Sequence, residues 1–121
     1  QLYILSEVRR FTSLRVKAAR AAGHGSGAEA NLAKLMMSRI TRLQRDLGLQ
    51  ILGAGGMLYG PDAPTGGAVQ ESACFAPGVS IYGGTDEIQK NIVGERVLGL
   101  PKEPGPDKTT PFRELKVGTQ T

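Results

Sequence analysis

The chain has 121 residues, a formal net charge of +4, and 40% hydrophobic and 21% charged residues, which fits a soluble globular domain or a piece of one, and no apolar run approaches the roughly 18 to 20 residues that a membrane helix needs. Lys and Arg are spread along the sequence, so the positive balance reads as solvated helix faces and no nucleic-acid surface is expected. Cys74 is the single cysteine, which excludes an internal disulfide, leaves no set of metal ligands in view and makes a cytoplasmic setting the expectation.

The chain opens on Gln1 rather than Met and enters an amphipathic pattern at once, which reads as a cut inside a longer protein. From Leu2 to Ala22, Leu5, Val8, Phe11, Leu14, Ala18 and Ala21 recur at spacings of three and four, predicting a helix with these residues as its buried side. Gly23 and Gly25 end it. Ser26 and Glu29 then have the spacing of a capping box, and Leu32, Met36, Ile40, Leu43, Leu47 and Ile51 carry the next helix to Leu52. That is a helix of about 26 residues, roughly 39 Å long. Two long helices joined by a glycine turn predict an antiparallel hairpin.

Gly53 to Gly67 holds six glycines and two prolines and reads as a loop without regular structure. A short helix is expected from Ala68 to Phe75, ended by Pro77 and Gly78. Thr85 can cap a last helix, with Asp86 and Glu87 in its first turn and Ile88, Ile92, Val93 and Val97 as its buried stripe. Gly99 and Pro101 stop it. Residues 1–100 are thus expected to form an all-α segment, an incomplete up-and-down bundle whose missing partner precedes Gln1, and residues 101–121 an extended tail.

The run Ile81-Tyr82-Gly83-Gly84-Thr85-Asp86-Glu87-Ile88-Gln89-Lys90-Asn91-Ile92, continued by Glu95-Arg96-Val97-Leu98-Gly99-Leu100-Pro101, resembles the C-terminal signature of the acyl-CoA dehydrogenases. Gln50-Ile51-Leu52-Gly53-Ala54-Gly55-Gly56 is similar to that family's glutamine-to-glycine stretch. With the helical hairpin, the resemblance covers about residues 1 to 104. It implies an FAD enzyme that oxidises an acyl-CoA thioester to the 2,3-enoyl-CoA, in fatty acid beta-oxidation or related lipid metabolism, and passes electrons to an electron-transferring flavoprotein. It also implies assembly as a homo- or hetero-oligomer, a dimer or tetramer.

Carried onto this sequence, the resemblance makes Thr85, Asp86 and Glu87 cofactor-binding, with Gln50, Gly53 and Ala54 reaching the FAD of a neighbouring subunit. Ala54 replaces the family's usual second glycine there. Tyr82, Gly83 and Gly84 fall beside the substrate. Many members carry the catalytic glutamate at the position of Gly83, and glycine has no group that can take a proton. The base is therefore expected on an earlier helix outside this chain, or on another subunit of a mixed assembly in which this one is non-catalytic. The acyl-CoA oxidases share the same fold and remain an alternative. Asp86 and Glu87 are poor replacements for the base, because their charge already complements the helix N-terminus. His24 lacks a catalytic constellation, and Cys74 reads as a packing residue.

Overall fold

The computed structural model describes residues 1–24, 27, 29–102 and 110–115, and among these no residue is in a β-strand. The all-α expectation holds. Among the described residues four α-helices are present: α1 (Leu2–Ala21), α2 (Glu29–Leu52), α3 (Ala68–Val79) and α4 (Asp86–Arg96). The long helix α2 is the hub, packing against each of the other three. Val69 lies against Gly48 while the carbonyl of Val79 lies 3.2 Å from Ser38 Oγ, so α3 runs antiparallel to α2.

The helix ends follow their local chemistry. Gly23 adopts φ +77 and the His24 amide reaches back to Ala19 O at 3.0 Å, closing the end of α1 with a left-handed residue that glycine supplies without steric cost. Gly99, at φ +67, does the same after α4, where the Leu100 amide donates to Gly94 O at 3.0 Å. The expected partnership of Ser26 with Glu29 lies outside the described residues, as does most of the expected tail from 101 to 121.

Two boundaries differ from expectation. Helix α3 continues through Pro77 to Val79, because a proline near the C-terminus forfeits one backbone bond while the following amides of Ser80 and Ile81 still close onto Pro77 and Gly78. The glycine-rich stretch also has local order: a 3-10 turn at Gly53–Met57 and a second turn at Pro64–Gly67. Gln70 Nε2 ties the first of these to α3 by donating to Gly55 O at 3.0 Å.

The larger correction concerns which faces are covered. Buried apolar residues are Ile40, Ala63, Ala76 and Val79, matched by as many buried polar ones: Ser38, Gln70, Asp86 and Gln89. On α1 the residues half-buried against the fold include Leu2, Leu5, Val16 and Ala19, whereas Val8, Phe11 and Leu14 from the expected buried stripe are exposed. On α4, Ile88 and Val97 are exposed, Ile92 and Val93 only half-buried, and it is Asp86 and Gln89 that face inward. Leu47 and Ile51 of α2 are open as well. Spacing identifies an apolar side of a helix but not its neighbour, and three helices around α2 leave their outer sides uncovered.

Candidate functional site

The turn between α3 and α4 is held by bonds to both α2 and α4. Gly83 and Gly84 stand at φ +66 and φ +87, a left-handed pair that side chains disfavour. Thr85 caps α4, its hydroxyl accepting from the Ile88 amide at 3.3 Å, and the Asp86 amide bridges back to Ser80 O at 3.0 Å. Among the described residues, nothing within the chain accepts from the amides of Gly83, Gly84, Thr85 and Glu87. Such free amides at a helix start, beside residues without side chains, are suited to a polar or anionic group.

A polar seam fixes this turn to α2. Lys34 Nζ and Ser38 Oγ donate to Asp86 Oδ1 at 2.8 and 2.7 Å, and the Arg42 guanidinium approaches Oδ2 at 3.3 and 3.4 Å. Arg42 also donates to Ser80 Oγ, holding the start of the turn with the same side chain. Burial alone would raise the Asp86 pKa; the hydrogen bonds from Lys34, Ser38 and Arg42 and the charge of Lys34 outweigh it and hold the carboxyl at about 2. One helical step on, Gln89 Nε2 donates to Gly83 O at 3.1 Å while its Oε1 accepts from Asn31 Nδ2 at 2.6 Å.

The expected site residues fall into three places. Thr85 is half-buried, and Glu87 is exposed, near Lys90 at 3.9 Å. Asp86 differs from its neighbours, because both its carboxylate and its amide are engaged inside the chain rather than offered outward. Tyr82, Gly83 and Gly84 are exposed, with the Tyr82 ring leaning on Phe75 at a centroid distance of 6.0 Å. A Cβ added at Gly83 would meet nothing within 4 Å. Gln50, Gly53 and Ala54 are exposed together where α2 ends, and Gly53 turns the chain at φ +52. Gln50 lies roughly 18 Å along α2 from Ser38, so this chain does not bring the two stretches into one pocket.

Sequence reasoning passed over Asn31, Lys34, Ser38, Arg42 and Gln89. Their signal was present: 31, 34, 38 and 42 follow helical spacing and make one polar stripe down α2.

A helical segment whose last helix opens on a glycine pair and a threonine cap is the class this geometry defines. Residues 1–98 match the sequence profile described as the C-terminal domain of acyl-CoA dehydrogenases, and the chain belongs to that family. It is 40% identical over 73 residues to acyl-CoA dehydrogenase IpdE1 of Mycobacterium tuberculosis, a match covering 60% of this chain and 18% of that protein. Against acyl-CoA dehydrogenase IpdE1 of Mycolicibacterium smegmatis it is 62% identical over 29 residues, 24% of this chain and 7% of the relative. The chain thus spans under a fifth of the curated relatives it matches. No solved structure matches it at comparable stringency. No helix among the described residues is long and apolar enough to cross a membrane.

Proposed function

We propose that this chain is the C-terminal part of an FAD-dependent acyl-CoA dehydrogenase that converts an acyl-CoA thioester to the 2,3-enoyl-CoA. The observation that carries the reading is the Gly83-Gly84-Thr85 turn: left-handed glycines, free amides and a capped helix in the family's signature order. FAD, when bound, accepts the hydride. Thr85 and Glu87 and the free amides of the turn hold the polar edge of that cofactor, while Gly84 allows close approach of substrate and flavin. Asp86 serves from within, holding the turn against α2. Tyr82 and the open side of Gly83 border the acyl group.

Gln50, Gly53 and Ala54 complete the FAD site of a second subunit, in keeping with their distance from the turn within one chain. The electrons leave to an electron-transferring flavoprotein, and the working enzyme is a cytoplasmic dimer or tetramer. Glycine at 83 favours one further reading, in which this subunit lends half of a cofactor site to a mixed tetramer whose base resides elsewhere.

The test is purification of the full-length protein with and without co-expressed partner subunits. Visible flavin absorption that bleaches anaerobically with an acyl-CoA is the expected result. A preparation that takes up no FAD in either form overturns the proposal.

A further inference from the structure

Gln89 has a more specific place than packing requires. It lies inside α4, 8% exposed, where an apolar side chain would fill the same space without the cost of burying an amide. The amide is satisfied at both ends: Oε1 accepts from Asn31 Nδ2 at 2.6 Å, and Nε2 donates to Gly83 O at 3.1 Å. The Gly83 carbonyl can only accept, so it fixes Nε2 toward the turn and leaves Oε1 for Asn31, which braces the amide from α2.

The turn also sits unusually close to that donor. A Cβ on Gly84 would stand 2.6 Å from Gln89 Nε2, inside any real contact, whereas one on Gly83 would meet nothing within 4 Å. Within the chain itself the two glycines share a left-handed backbone and differ in their relation to Gln89. Drawing the Gly83 carbonyl onto Gln89 fixes one peptide of the turn whose neighbouring amides are free. The Asp86 clamp holds the helix; Gln89 bonds directly to the glycine pair.

We propose that Gln89, braced by Asn31, is the positioning residue for this turn: by holding the Gly83 carbonyl it presents the amides of Gly84 and Thr85 to the flavin. The proposal rests on the flavin reading above.

The experiment uses the full-length protein, titrating apoprotein with FAD and following amide hydrogen exchange over residues 81–88. Gln89→Met keeps the volume, and Gln89→Glu keeps the acceptor for Asn31, but both lose the donor to Gly83. Each is expected to weaken FAD binding about tenfold, the scale of one lost hydrogen bond, and to speed exchange in the turn while leaving α1 and α3 unchanged. Wild-type affinity and exchange in Gln89→Met would overturn the proposal, reducing the residue to packing.

If the Gln89 variants fail to fold, Gly84→Ala against Gly83→Ala decides. Backbone strain is common to both, so in the FAD-free protein Gly84→Ala is expected to speed amide exchange in the turn about tenfold more than Gly83→Ala, because its Cβ displaces Gln89 Nε2; equal exchange overturns the wedge at Gln89. A wild-type protein that takes up no FAD overturns the flavin reading instead. Exchange in the turn then still reports whether Gln89 holds it.

Discussion

Asp86 Oδ1 accepts from Lys34 Nζ at 2.8 Å, joining the first turn of α4 to the second turn of α2 across 52 positions of sequence. The carboxylate is almost fully enclosed, with 7% of its side chain accessible, and Lys34 retains 16%. Ser38 and Arg42 supply its remaining hydrogen bonds. A buried charge of this kind stabilises the fold only while every partner is present.

Acid should therefore loosen this seam over a defined range. The Asp86 carboxyl is lowered from 3.8 to about 2, so its contribution is fully present above the ordinary value and is lost as pH falls through the folded one. Between roughly pH 4 and pH 2 the loss amounts to about 1 to 2 kcal/mol. Chemical denaturation of wild type and Asp86→Asn across this range provides the check: the wild type should lose more stability than the variant, and parallel curves would contradict the assignment.

Removing Lys34 alone should cost more than removing it together with the Asp86 charge. Lys34→Met leaves the carboxylate buried beside only Ser38 and Arg42, a loss of about 3 kcal/mol by analogy with broken buried pairs. Lys34→Met combined with Asp86→Asn is expected to recover part of that loss, since position 86 is then neutral and the Arg42 side chain, 42% exposed, keeps its contact with water. A double-mutant cycle in denaturant reads the coupling directly, and additive losses would mean that the two groups act independently.

The same geometry predicts that a glutamate placed at 83 does not restore a base. Space is available there, but φ +66 is a left-handed conformation costing a non-glycine residue about 1 to 2 kcal/mol. Gly83→Glu in the full-length protein should lower the melting temperature without raising turnover of any acyl-CoA. Increased turnover would show that the turn can relax to accommodate the carboxylate, and that the base was the missing part.

The extent to which the sequence disclosed these features depends on which physics each one uses. Local chemistry was legible: the glycine end of α1, the Thr85 cap, the stop at Gly99 and the period of α2 all rest on near neighbours. Pro77 and the Gly53–Met57 segment depart from what breaker residues imply, because tertiary bonds such as Gln70 to Gly55 O leave no mark on local sequence. The site turn was legible as a motif in order. Its supports were not, since the pairing of Asn31 with Gln89 or Lys34 with Asp86 depends on the packing of α4 against α2, which the period of either helix leaves open.

Packing also leads to the last prediction, on assembly. Ile4, Val8 and Phe11 lie at spacings of four and three on α1, and their relative exposures are 63%, 48% and 55%. On the adjoining side Leu5, Val16 and Ala19 are half-buried against the fold. A contiguous apolar stripe beside such a half-covered helix is normally covered by another surface. We expect the chain to self-associate as a dimer or larger species at micromolar concentration, and Val8→Glu with Phe11→Glu to shift it toward monomer. These positions are already solvent-exposed in the single chain, so the variants should retain helical circular dichroism. Sedimentation velocity supplies the measurement: a folded wild-type monomer would show that the stripe is tolerated in water, and the shared-site arrangement of Gln50 with a neighbouring Thr85 would lose its physical support.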